Sequence, residues 1–477
     1  MHTNDSSSKP SLSTNPIVKN LKPSRSLSPA GLASTALLSL GLLGSQASFA
    51  FNPTEQAVIN YLTDPTLCTP TTGGGGGDFS LAESGSNVFA TALVGDSNYD
   101  CSNLSGALQT GVERLLNSPE TLDVNAVLQG LAFEEVITMG TLNVEVNSAH
   151  MSNIMTHVDG LHHGTMGIRF PSLPKSKIPA TRQRGGGAAA SNNDKIGFFV
   201  NTRGVTGEKD VSTKETGFDY DSYGLTAGMD MRLSNNFVIG FAAGYGDTQA
   251  DYTSSVGGMD MQGYSLSVFG TMYKKDSYFI DGIINLTQNQ FDSRRTFTDP
   301  NAVTQTATAD TDGTTLTVGL GAGYENHIKD TSFGNYVRIN YTKVDIDSFT
   351  ESGAGVYNTQ IDDQDLSSFE GVVGFNVSKV VDHSWGVLIP QIRLELVHEF
   401  ENESRIVNAR FTGAVNNGIT TNLMLPSDRP DRTYINLSLA ASAQFSHGRS
   451  GFVQYTGLFG QNDIDEHGLE LGVRWSY

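Results

Sequence analysis

From Lys195 to the end of the chain, apolar and polar residues alternate with a period of two in one short segment after another. Successive side chains of an extended strand point to opposite faces, so this pattern predicts strands with one apolar and one polar side. The last segment shows it most plainly. Leu469, Leu471, Val473, Trp475 and Tyr477 share one face, while Glu470, Gly472, Arg474 and Ser476 share the other. In residues 434–445, Ile435, Leu437, Leu439 and Phe445 alternate with Asn436, Ser438 and Gln444. In 388–400, Ile392, Leu394 and Leu396 alternate with Gln391, Arg393 and Glu395. Twelve segments are expected, at 195–206, 213–233, 235–252, 257–274, 276–296, 308–327, 332–349, 365–381, 384–404, 430–446, 449–461 and 464–477.

Alternation alone also suits a soluble β-sandwich. The connections separate the two. Every second one is brief, as at Ser234-Asn235-Asn236, Ile328-Lys329-Asp330 and His447-Gly448, whereas 297–307, 350–364 and 405–429 are long and polar. Brief turns at one end and long loops at the other suit an all-β, twelve-stranded antiparallel transmembrane barrel. Lipid cannot satisfy an open strand edge, so such a sheet closes on itself. The outward faces then carry Phe237, Tyr245, Tyr264, Tyr278, Tyr324, Tyr341 and Trp475, which suit lipid and its interfaces. Asp281, Arg338, Glu370, Arg393, Glu395, Glu470 and Arg474 fall on the opposite face and line a polar lumen. Charged loop segments such as Glu208-Lys209-Asp210 and Asp362-Asp363-Gln364-Asp365 are expected as solvated outer turns.

The N-terminal part reads differently. Residues 1–50 are expected to be a signal peptide: Lys9, Lys19, Lys22 and Arg25 precede an apolar stretch from Ala30 to Gly44, and Ser48-Phe49-Ala50 suits cleavage after Ala50. That stretch is too short to span a membrane comfortably, since a span needs about 20 residues. Residues 51–123 form a short exported segment containing a glycine run, Gly73 to Gly77, and both cysteines. In an oxidising compartment Cys68 and Cys101 are expected to form a disulfide. Residues 124–163 read as helical, with Val144, Asn147, Met151, Ile154, Val158 and Leu161 at three- and four-residue spacing, and 171–193 as a Pro/Gly linker leading to the barrel domain, 195–477. The chain has 52 glycines, 38% hydrophobic residues and a net charge of −20. Nothing so acidic would neutralise phosphates, so a nucleic-acid partner is excluded.

The ending Gly468-Leu469-Glu470-Leu471-Gly472-Val473-Arg474-Trp475-Ser476-Tyr477 resembles the C-terminal signature of outer-membrane proteins, in which Trp475 and Tyr477 act in barrel assembly. Twelve strands after a helix and an exported segment are similar to the translocator domain of type V autotransporters. That resemblance implies a monomeric barrel embedded in the lipid of a Gram-negative outer membrane. It also implies the barrel assembly machinery and periplasmic chaperones as partners, the helix in the lumen, and a short passenger displayed at the surface, with adhesion or host contact as its use. A porin-like barrel plugged by its N-terminal segment is the alternative.

Candidate chemistry is sparse. Glu145-Val146-Asn147-Ser148 resembles the Glu-Val-Asn-Asn self-cleavage site of some protease autotransporters, but Ser148 replaces the second asparagine, so the passenger is expected to stay attached. Gly95-Asp96-Ser97-Asn98 resembles the nucleophile block of GDSL-type esterases, with Asp159 and His162 at that family's base spacing. Asn98 departs from the block, and about seventy residues cannot supply the rigid site nucleophilic catalysis needs. No enzyme is expected. His150, His157, His162 and His163 cluster along the helix, but without a ligand set of recognised zinc spacing, so neither metal nor cofactor is expected.

Overall fold

The computed structural model describes residues 52–71, 98–118, 122–162 and 195–477, apart from 213, 254–255, 275–276, 446–447 and 477. The expected signal peptide with Ala50, the glycine run, Ser97, His163, the Pro/Gly linker and Tyr477 lie outside the described residues.

The wall consists of twelve antiparallel strands: β1 Ile196–Lys209, β2 Phe218–Ser234, β3 Phe237–Tyr252, β4 Val256–Tyr273, β5 Tyr278–Thr298, β6 Thr304–Ile328, β7 Thr331–Ile346, β8 Gln364–Lys379, β9 Gly386–Glu399, β10 Thr433–Phe445, β11 Arg449–Phe459 and β12 Ile464–Ser476. Each pairs with its chain neighbours, and β12 pairs back with β1 from Ile464↔Lys209 to Ser476↔Gly197, which closes the barrel. A three-residue stub, Val381–His383, pairs with the start of β9 at a brief turn.

Across the middle of the wall the alternation places apolar residues outside. Leu225, Phe241, Leu266, Ile284, Leu320, Val373, Leu394 and Leu471 are about half exposed because they face the surroundings of the barrel. Aromatic residues bracket this band. Tyr278↔Tyr324 and Trp385 with Phe445 lie near the brief turns, and Tyr245 packs on Tyr264 at the other side. Phe237 and Tyr245 stand eight residues apart on β3, roughly 26 Å along a strand and about 20 Å of height at the usual tilt near 40°. Trp475 also faces outward.

Beyond the outer aromatic ring the pattern inverts. Phe218, Tyr220, Tyr252, Met259, Met261 and Phe291 point inward and are buried. Asp219, Asp251, Asp260 and Asp292 on the same strands, and Asp310 on β6, point outward and are exposed. Strand geometry continues unchanged through this switch; only the solvent on the two sides exchanges, water now lying outside and an apolar core inside.

That core belongs to a cap over the long-loop mouth. Helices α1 (Pro53–Leu62), α2 (Gly106–Asn117) and α3 (Val124–Ala132) pack there on a four-stranded sheet made from loop segments 349–350, 359–361, 406–411 and 423–426. Asn52 caps α1 in a reciprocal box with Glu55, and Pro53 occupies the first turn, where it forfeits no hydrogen bond. Leu108, Val112, Leu115 and Leu116 give α2 one buried face. Phe411 is the hub, its ring 5.8 Å from Tyr61, 6.4 Å from Tyr357 and 6.5 Å from Phe133. Cys68 and Cys101 are disulfide-bonded beside a two-rung ladder, Thr69↔Asp100 and Pro70↔Tyr99.

Several expectations are corrected. The polar stretch 297–307 is a hairpin, because β5 and β6 stay paired up to Thr298↔Thr304 and bury Phe297 and Ala307 against the cap. The long segments 350–364 and 405–429 contribute the cap sheet rather than only solvated loop. Of the stretch expected as one helix over 124–163, residues 124–162 form two helices, α3 and α4 (Glu135–His162), separated at Phe133, whose φ of 35° is held by complete burial of its ring. Asp362-Asp363-Gln364-Asp365 is not a free turn, since Asp362 bonds Arg410 and Gln364 is buried in β8. Lys209 is likewise buried, 3.1 Å from Asp428 and 3.5 Å from Glu215.

Candidate functional site

Helix α4 runs down the inside of the barrel. Its first turns join the cap core through Val136, Ile137 and Met139, and its last turn packs Leu161 among Tyr273, Phe279 and Tyr336 near the brief turns. Twenty-eight residues give a length near 42 Å at about 1.5 Å per residue. The lumen around it is polar, and α4 distributes polar groups around its axis to match.

Among the described residues, polar groups along α4 meet wall residues. Asn147 donates to Thr317 Oγ1 at 2.6 Å and accepts from Asn285 Nδ2 at 3.1 Å. His150 lies between Thr226, Ser265 and Ser267, at 3.1, 2.9 and 3.1 Å. Gly244 opposes that ring, and a Cβ there would overlap it. Asn153 Nδ2 donates to Thr226, and its backbone carbonyl accepts from Asn201. Thr156 donates to Glu470 at 3.2 Å.

Charged groups are paired in the same way. His157 stacks on Phe199 and reaches Asp230 at 3.1 Å; Arg474 holds the same carboxylate through two nitrogens, at 2.7 and 3.1 Å. His162 stacks on Phe279 and meets Asp281 at 2.8 Å and Thr271 at 2.6 Å. Asp159 pairs with Arg393. Arg338 reaches Glu395 at 2.8 Å, and Tyr336 donates to the same oxygen. Glu370 accepts from Tyr434 at 2.7 Å and Asn340 at 3.3 Å. An unpaired charge in such a place is costly, so these contacts fix the rotation and depth of α4. The seven charged residues read as lumen-facing all point inward, but what they surround is a helix rather than an open pore.

The other candidate groups separate. Asp159 and His162 lie near the brief-turn end of the lumen, engaged with Arg393, Asp281 and Thr271, and form no described site with a nucleophile. Asp159, His162 and Asp281 come within 4.8 Å of one another, a spacing that suits a metal ion, but Arg393 already supplies the positive charge at Asp159. His150 and His157 contact different wall residues and do not join this group. Asp230 joins this lumen set as well, and its place between the outward Met229 and Met231 marks it as inward in the sequence.

Outside the membrane band, α4 is tied to the cap by Glu134, which accepts from Thr54 and from Asn52 Nδ2. Burial raises the Glu134 carboxyl to about 7, with Glu135 and Glu55 adding repulsion. Arg295 ties the cap to the wall at β5. It pairs with Glu351 at 2.6 and 2.7 Å, donates to the carbonyl of Gly130 on α3 at 2.7 Å, and lies 4.3 Å from the Phe297 ring centroid. Arg405 makes a second tie to α4, reaching from the loop after β9 to the carbonyl of Ile137 over Gly140.

Comparison with known proteins places similarity mainly in the barrel. The autotransporter beta-domain family matches residues 198–456, more than half of the chain. Outer membrane protein B of Rickettsia japonica is 26% identical over 239 residues, 47% of this chain and 14% of that protein. Outer membrane protein B of Rickettsia prowazekii is 23% identical over 404 residues, 76% of this chain and 24% of that protein. The chain therefore spans a quarter or less of the length of these relatives. Among solved structures, the translocator domain of the autotransporter NalP from Neisseria meningitidis aligns with a TM-score of 0.48 and 14% identity, covering 59% of this chain and 89% of that one. The beta domain of the Bordetella autotransporter BrkA aligns at 0.44 and 15%, covering 60% and 100%. With its closed twelve-stranded wall and the family match across it, this chain belongs to the autotransporter beta-domain family and is an outer-membrane protein.

Proposed function

We propose that this protein displays its own N-terminal segment at the cell surface and keeps it attached there. The observation that carries the reading is the shared core of helices α1–α3 and the loop sheet at the long-loop mouth, with α4 running from it to the opposite end of the lumen. That direction suits a chain drawn outward through the barrel, with the last turn of α4 at the brief-turn end. Burial of Phe133, Leu128 and Leu62 against Phe411 and its neighbours favours the docked state without any cleavage step. The Asn147 amide is engaged by Thr317 and Asn285, which does not suit self-cleavage at that residue. The cap is then a surface platform, with adhesion or host contact as its use. Insertion by the barrel assembly machinery with periplasmic chaperones, guided by Trp475 and Tyr477, is part of the same reading.

The test is protease shaving of intact cells with an epitope tag in the Gly73–Gly77 run. Loss of the tag from sealed cells supports display. Protection until the outer membrane is opened refutes it and favours a barrel plugged from within.

A further inference from the structure

Among the described residues, the barrel wall is incomplete between β8 and β9. The ladder between β8 and β9 ends at Glu370↔Glu399, and the last cross-strand bond runs from Phe400 N–H to the Phe369 carbonyl. β8 nevertheless continues to Gln364, paired on its other side with β7 as far as Ile346. Segment 400–405 bows away, and the two chains rejoin where Asp362 N–H donates to the Asn408 carbonyl, next to the Ile361↔Ala409 rung. Between these points the β8 edge has no strand partner among the described residues. By the two-residue repeat of the ladder, the backbone N–H and carbonyl groups of Asp365 and Ser367 face the gap as those of Phe369 do.

Behind the gap lies a cavity of about 750 Å³ between α4 and this side of the wall. Nine carboxylates but only four cationic side chains line it, so its charge is strongly negative. Lys209 is already committed to Glu215 and Asp428. Glu370 and Glu399, direct cross-strand neighbours, accept from Tyr434, Asn340, Ser368 and backbone N–H groups, all neutral donors. Like charges placed opposite one another in a sheet are unfavourable, so a cation between them is favoured. Glu401 and Glu403 stand exposed at the opening.

We propose that this gap is a recognition site for an extended, lysine- or arginine-rich peptide segment outside the cell. The peptide adds to the free β8 edge through its backbone, and alternate side chains enter the acidic cavity. Two features point to the same ligand independently: an open edge needs an extended backbone, and the cavity behind it needs positive charge. A metal ion would use neither the volume nor the edge. The side-chain bond from Ser367 to Glu401 crosses the gap and is replaced on binding.

The experiment measures fluorescence anisotropy of labelled acetyl-Lys-Val-Lys-Val-Lys-amide on outer-membrane vesicles carrying the whole protein. The expected result is binding that weakens with salt and is lost when glutamate replaces the lysines. It is expected to weaken at least tenfold with alternate N-methylation of the peptide and with E401Q/E403Q. S367P, which removes an edge N–H, is expected to mimic N-methylation. E401Q/E403Q lies on an exposed segment and keeps the test decisive if S367P does not fold. Equal affinity for the N-methylated peptide, unchanged affinity in E401Q/E403Q, or no binding at all each overturns the proposal. None of these outcomes bears on whether the N-terminal segment is displayed.

Discussion

The cap should loosen as pH rises through neutrality, and Glu134 supplies the reason. Its side chain is buried, and burial lifts its carboxyl from 4.5 to about 7, with Glu135 and Glu55 adding repulsion and the bonds from Thr54 and Asn52 opposing. Between those two values the docked cap holds a proton that the undocked chain releases, so stability falls as pH rises, by up to about 1.4 kcal/mol per pH unit. Below 4.5 both states are protonated and the penalty vanishes; above 7 both are ionised and it is complete. The full difference is roughly 3 kcal/mol. Glu55, also raised by burial, acts in the same direction. Glu134→Gln removes the charge yet keeps an acceptor for Thr54. Pulse proteolysis in urea, reading loss of the cap while the detergent-held barrel stays folded, gives the midpoint at pH 5 and pH 8. The wild-type midpoint should drop between them. The variant should change far less and gain roughly 2–3 kcal/mol at pH 8. An unchanged pH slope in the variant, or no gain at pH 8, refutes the reasoning.

Other consequences can be checked separately. C68S/C101S opens a closed loop with a sequence separation of 33, which should destabilise the cap by about 3–4 kcal/mol in the chain-entropy model, read by the same proteolysis. Arg295→Met leaves Glu351 buried without its partner and should cost about 3–5 kcal/mol, while R295M/E351M should recover much of that loss; equal losses in single and double variants would remove the pair from the account. Gly244→Val should drive His150 and α4 off the β3 wall, seen as a lowered temperature for loss of the folded band on unheated gels. Asp230→Ala frees Arg474 and His157 together and should lower that temperature more than Asp345→Ala, whose partner Lys343 is exposed.

The sequence by itself determined the wall. A period of two is intrinsic to a strand, and one face meeting lipid while the other meets a polar interior writes that period into residues such as Leu469 to Trp475. Strand count, the sorting of turns from loops, and the inward direction of Arg393, Glu470 and Arg474 all follow from local pattern. So does the helical nature of most of 124–162. The tertiary structure decided the rest. Phe218, Tyr220 and Met261 keep the strand period but reverse its meaning, because the side facing water changes above the membrane, and only the packed cap shows what their inward side covers. The 297–307 hairpin and the loop strands at 349–350, 359–361, 406–411 and 423–426 are too short or too polar to announce themselves. Their stability comes from packing on α1–α3, hundreds of residues away in the chain. The partners of Asp159, His157 and Asn147 are likewise set by how α4 sits in the lumen, since each contact joins groups distant in sequence whose meeting depends on the closed barrel holding the helix at one rotation and depth.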